Sequence, residues 1–199
     1  MTRLRGAVVF VNCFIVGCIL MGFEMLGSRY LYPYFGGGIG TWAGLISMVL
    51  CALAIGYLVG GAVVDRYPTL WVVVISIALA GAWLACIPAT ADDAMRAILG
   101  SAGEGPTGIL IASAALLLVP VSFLGTVSPV AVRLLIQSTG QTGRISGLVY
   151  GVSTIGNVCG TLVTTFALIP TIGSRAITYL FAAILAASAV SLAVAGGRR

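Results

Sequence analysis

Apolar residues fill six long stretches of this chain, and the charged residues collect mostly between them. The stretches are Ala7–Gly27, Thr41–Val64, Leu70–Thr90, Gly108–Thr126, Ser146–Pro170 and Ala176–Ala195. Each holds about twenty residues, enough at about 1.5 Å per residue to cross a hydrocarbon core as a helix. Strands of a membrane barrel would be shorter and would alternate polar with apolar. The pattern predicts an all-α integral membrane protein with six transmembrane helices in a single domain, 1–199.

Composition agrees. The chain is 60% hydrophobic and 8% charged, against about 25% charged in soluble domains. All ten basic residues are Arg. With the N-terminus inside, Arg3, Arg5, Arg66, Arg133, Arg144, Arg198 and Arg199 are cytoplasmic, and Arg29, Arg96 and Arg175 lie opposite. That bias predicts a multi-pass protein of the cytoplasmic (inner) membrane with both termini in the cytoplasm. The net charge of +5 then belongs to arginines that meet anionic headgroups of the lipid bilayer. No basic stripe interleaves with aromatics, so no nucleic-acid partner is expected.

Adding 104 to a residue number often lands on a counterpart. Arg29 falls on Arg133, Ala52 and Gly56 on Gly156 and Gly160, and Leu58 on Leu162. The turn Asp65–Thr69 falls on the turn Ile169–Gly173. Three spans are an odd number, so the order predicts a 3+3 inverted repeat, about 1–95 and 105–199. Small residues recur one turn apart at Ala52, Gly56 and Gly60, at Gly147 and Gly151, and at Gly156 and Gly160. These faces are expected to admit a neighbouring helix closely.

The polar residues inside spans nominate a substrate or ion site. Glu24 is either a cation or proton site or a helix-end carboxylate reaching headgroup water. Ser28 lies one turn on, while Arg29 reaches Glu24 only if the helix breaks, which Gly27 permits. The fourth span carries Pro120, Ser122, Thr126, Ser128 and Pro129 and is expected to kink or end early. The first span is its counterpart, with Gly22, Gly27 and Pro33, and interrupted spans at matching positions point to a transporter binding site. The fifth span carries Asn157, Thr161 and Thr164 on one face, either for interhelical hydrogen bonds or as a cavity lining.

Much chemistry is missing. The chain has no His, hence no imidazole base and no Ser–His pair. The five Cys all fall inside spans without a CxxC pair and read as small packing residues. No catalytic group, cofactor or metal site is nominated, and no enzyme activity is expected.

Two segments carry a resemblance. The first holds Gly22-Phe23-Glu24-Met25-Leu26-Gly27-Ser28-Arg29 and the run from Gly56 through Gly60, Gly61, Asp65 and Arg66. The second holds Gly125-Thr126-Val127-Ser128-Pro129, Arg133, and Gly143-Arg144-Ile145-Ser146-Gly147. Together they resemble the membrane half of the fused major-facilitator/spermidine-synthase proteins. Gly60, Gly61, Asp65 and Arg66 are similar to the major-facilitator signature in the cytoplasmic turn after the second span. The resemblance implies a six-helix, major-facilitator-like half. The synthase domain that typically follows in that family is not in this sequence, so aminopropyl transfer is not carried over.

Two functions stand ahead of an intramembrane enzyme, for which no residue nominates a reaction. One is a transporter-like module that binds or moves a small cationic, polyamine-like metabolite and works as a homo-oligomer or with a second membrane subunit. The other is a non-catalytic partner subunit that anchors a separately encoded spermidine-synthase-like enzyme, with Arg133, Arg144 and the C-terminal arginines in its docking face. Ile15-Val16-Gly17-Cys18 looks like a lipoprotein processing box, but the apolar run continues past it, so an uncleaved first helix is expected. Intact mass should show an unmodified Cys18; a lipidated Cys18 at a new N-terminus would remove the first span.

Overall fold

The computed structural model describes residues 3–136 and 142–197. Every element in it is helical: α1 (Arg3–Phe35), α2 (Ile39–Arg66), α3 (Leu70–Ala102), α4 (Pro106–Gly125), α5 (Val127–Leu135), α6 (Thr142–Val163), α7 (Ile169–Thr171) and α8 (Ser174–Gly197). A five-residue π turn, Thr164–Leu168, joins α6 to α7. Six helices result that are long and apolar enough to cross a membrane, with α4 and α5 forming the fourth and α6 through α7 the fifth. The chain is a multi-pass membrane protein.

The helices overrun the hydropathy boundaries. Ala91–Ala102 reads as a polar loop by composition, yet it continues α3. Ala, Met, Arg and Leu in it are good helix formers, and Asp92, Asp93 and Arg96 are tolerated in a helix outside the bilayer. The helix stops at Gly103, whose φ of 72° ends it in the left-handed region. Thr69 caps the start of α3, its hydroxyl accepting from the Trp71 amide.

Prolines act one turn upstream of themselves. Pro120, Pro88 and Pro33 all sit inside helices. The fourth span breaks at Thr126, three residues before Pro129, where the Thr126 amide bonds the Phe123 carbonyl at 3.2 Å. The π turn precedes Pro170 in the same way, and the Ile169 amide reaches back five residues to Thr164. A proline ring presses on the carbonyl four residues earlier, and both distortions relieve that contact.

The first span, in contrast, is unbroken through Gly22 and Gly27, so the expected interruption at matching positions is not found. Those glycines serve close approach instead. A methyl group at Gly22 would lie 2.6 Å from Thr164 Oγ1, and one at Gly27 would lie 3.0 Å from a Leu45 methyl.

Spans one and five, two and four, and three and six pack as the closest pairs. Backbone meets backbone at two of these crossings. Gly56 lies on the Ser122 carbonyl and Gly125, and Gly160 lies on the Cys18 carbonyl. Gly156 lies on Phe14, and Gly60 on Thr126, whose Cα would be 2.7 Å from an added methyl. Lipid gives no hydrophobic drive to such contacts, so close dispersion packing must hold them. Gly147 and Gly151 behave otherwise: both are exposed with nothing within 4 Å, and they make no groove for another helix here.

One end of the bundle gathers Arg5, the Pro68–Trp71 turn, Leu134, Gly196 and Gly197 around a cleft. Asp65 pairs with Arg133 there at 3.4 Å. The two ends of the described chain therefore lie at one face. Asp92 pairs with Arg175 at the other. Both pairs are exposed, and their value is in registering helix ends more than in stability.

Gly56→Leu and Gly160→Leu are expected to lower unfolding stability in detergent by about 1–3 kcal/mol each, because the new side chain meets backbone that cannot yield. Gly147→Leu should leave the melting curve in place. Equal effects at all three positions would contradict these crossings.

Candidate functional site

The fifth span has an exposed apolar sector and, beside it, a partly exposed polar one. On a projection of about 100° per residue, Leu148, Ile155, Val158 and Leu162 share one arc, each close to half exposed. They form a lipid face. Tyr150, Ser153, Thr154, Asn157 and Thr161 share the neighbouring arc. A polar arc on a helix that is only 17% buried along its apolar window is unsuited to lipid, where every polar group needs a partner.

Part of that arc lies against the first span, which carries Glu24. Gly17 lies under the fifth span, and a methyl added there would sit 3.0 Å from Asn157 Oδ1. Glu24 follows Gly17 by seven residues, two turns of helix and about 10 Å along the axis, on the same face. Glu24 is buried at 4% exposure. It makes no hydrogen bond or ion pair with any described residue. Arg29 does not reach it: the helix stays unbroken, the two residues point about 140° apart, and Arg29 is exposed.

The hydroxyls mostly turn to their own helices. Ser28 donates to the Met25 carbonyl at 2.8 Å, Ser122 to Leu118 at 2.6 Å, Thr126 to Phe123 at 2.8 Å and Thr161 to Asn157 at 3.0 Å. Interhelical bonding thus does not account for Thr161. Asn157 Oδ1 and Thr165 Oγ1, by contrast, are buried and unpartnered. Ser122 and Thr126 line a separate cavity of about 440 Å³ between α2, α3 and α4. Ser128 is buried in α5. The candidate residues therefore do not share one cavity: Ser122 and Thr126 line one, while Glu24 lies two turns along the first span from the Gly17–Asn157 contact.

The chain matches no protein-family model, no curated protein and no solved structure. What the site can do is argued from its own atoms.

Glu24 and Asn157 present oxygen acceptors that no donor satisfies. Unpaired oxygens of this kind suit a ligand that brings positive charge and N–H donors.

Sequence reasoning missed the polar ties of α1 to α8. Asn12 accepts from the Ser188 hydroxyl and donates to the Val8 carbonyl at 2.7 Å and to Ser191 Oγ at 3.4 Å. Tyr30 shares a hydrogen bond of 2.9 Å with Thr178. A lone amide in an apolar run is a signal for such a tie, but its partner 176 residues away is not visible locally.

The two asparagines should respond oppositely to substitution. Asn12→Ala is expected to lower stability by about 1 kcal/mol by stranding Ser188. Asn157→Leu should change it by less than about 0.5 kcal/mol, because it removes an acceptor already unpaired. Thermal unfolding in one detergent distinguishes them; a larger loss at Asn157 would show that its amide has a structural partner.

Proposed function

We propose that this chain is one half of a membrane transporter and that Glu24 with Asn157 takes a small organic cation, polyamine-like in carrying several ammonium groups. The observation that carries the reading is Glu24, buried at 4% exposure and without a partner among the described residues. An ionisable group inside a span costs roughly 2.5–3.5 kcal/mol at mid-membrane and less toward the interface, and Glu24, near the outer end of its span, has no counter-ion among the described residues, which leaves a place for one.

The reading includes a 3+3 inverted repeat, which the helix crossings support. Gly56 lies on Ser122, and the positions 104 residues away, Gly160 and Cys18, lie on each other. Gly60 lies on Thr126, and their mates Thr164 and Gly22 lie on each other. Gly81 lies on Leu185, its own mate, as a contact on a two-fold axis must. Two clefts correspond as well: Gly56, Val59, Val119 and Ser122 line one, and their mates Gly160, Val163, Ile15 and Cys18 line another. Inverted repeats of this size build halves of major-facilitator transporters, and the resemblance to the membrane half of the fused major-facilitator/spermidine-synthase proteins points the same way. The Arg-rich end is then cytoplasmic. The partly exposed polar arc of the fifth span faces the other half, which a second copy or a different membrane subunit supplies.

Arg198 and Arg199, assigned from the sequence to a docking face for a separate enzyme, lie outside the described residues. Arg66 and Arg144 are exposed at the same end as Arg133, which keeps the anchor reading testable by native co-purification.

Labelled spermidine or putrescine should enter proteoliposomes holding the full chain, and Glu24→Gln should reduce the flux by about tenfold or more, as expected for losing a charge-assisted contact. No flux above empty vesicles for either cation, or full flux in Glu24→Gln, would argue against this assignment.

A further inference from the structure

The cleft at the Arg-rich end differs in kind from the others. Its volume is about 540 Å³, and Arg5, Thr69, Trp71, Leu134, Gly196 and Gly197 contribute to its wall. The clefts along the spans are lined almost wholly by apolar groups, whereas this one is about half polar.

Arg5 is the charged group in that wall. It is half-buried, and it makes no ion pair or hydrogen bond with any described residue. Among the described residues, the one side-chain carboxylate at this end, Asp65, is already engaged by Arg133. Arg66 and Arg144 add positive charge nearby in sequence to the same end without a further acid. A guanidinium withdrawn partly from water without a carboxylate is a binding group in want of an anion.

The chemistry narrows the anion. Thr69 supplies a hydroxyl that already accepts from the Trp71 amide and retains its own O–H to donate. Trp71 is 52% exposed beside it, and an exposed indole at a span end is the usual mark of the headgroup level. A planar guanidinium fork plus a hydroxyl donor fits the oxygens of a phosphate.

We propose that this cleft seats a phosphate group, held by Arg5 and Thr69 with Trp71 at its edge, either as the headgroup of an anionic phospholipid or as a free phosphate. The site is separate from Glu24 and does not depend on the transport reading. Occupied by a lipid, it ties the start of α1 to the α2–α3 turn and the end of α8 through one headgroup.

The test titrates the full chain in neutral detergent with phosphatidylglycerol, with phosphatidylcholine and with inorganic phosphate. Native mass spectrometry reads bound lipid, and the melting temperature reads all three arms. Phosphatidylglycerol is expected to bind and raise the melting temperature where phosphatidylcholine does not. Arg5→Gln should weaken that binding by about tenfold, the loss expected for one charge-assisted contact. Arg144→Gln removes the same charge from an exposed position and should leave binding as it was, which separates a site from general attraction. A shift with inorganic phosphate alone, also lost in Arg5→Gln, supports the site with a soluble ligand. Equal binding of phosphatidylglycerol and phosphatidylcholine with no response to phosphate overturns the proposal, as does equal weakening by the two Arg substitutions. Should Arg5→Gln fail to fold, Arg5→Lys keeps the charge without the fork and is expected to weaken binding; unchanged binding there would overturn the role of the fork.

Discussion

Close backbone approach at two glycine-lined crossings is the constraint on which this bundle depends. In lipid, an apolar face gains nothing by leaving solvent for another apolar face, so helices must gain contact instead. Gly56 and Gly60 let α2 lie against the Ser122–Thr126 backbone, and Gly156 and Gly160 let α6 lie against Phe14 and Cys18. Spans one, four and five, which carry the candidate polar residues, are thereby gripped along their length. Glu24 is held two turns beyond Gly17, beside the fifth span. A wider crossing would open that face to lipid and leave the carboxyl in hydrocarbon.

The six spans were readable because length and hydropathy are local properties, set by the thickness of the bilayer rather than by the fold. Helix ends were less readable. Composition marks Asp92, Asp93 and Arg96 as outside the membrane, but a helix does not stop where lipid stops; it stops where Gly103 turns it. Interruptions were half readable for a related reason. Pro129 and Pro170 announce a distortion, and its site is the turn before them. Gly22 and Gly27 announce either a break or a contact, and only the presence of Thr164 and Leu45 opposite decides that it is contact. The same ambiguity covers Gly147 and Gly151, whose spacing copies that of Gly156 and Gly160 but which face no helix.

The candidate site divides along similar lines. Glu24 and Asn157 stand out in the sequence because each is expensive in lipid, and both prove buried or partly buried with unmet oxygens. The hydroxyls of Ser28, Ser122, Thr126 and Thr161 carry no such information, because a hydroxyl in a helix can always return to its own carbonyls. The ties from Asn12 to Ser188 and from Tyr30 to Thr178 join the two ends of the chain and depend on α8 folding back beside α1. Nothing local to either partner specifies that.

The contact between Gly81 and Leu185 tests the arrangement most directly, since it sets a residue against its own counterpart where the third and sixth spans cross. A methyl group at Gly81 would lie 3.2 Å from Leu185 Cβ, near the separation of about 3.5–4.5 Å that a disulfide requires. With the five native cysteines replaced, Gly81→Cys with Leu185→Cys is expected to cross-link within one chain under mild oxidation. Ala85→Cys with Leu185→Cys, one turn away, should cross-link far less. The reverse order, or no intramolecular bond in either pair, would contradict the crossing and the two-fold relation built on it.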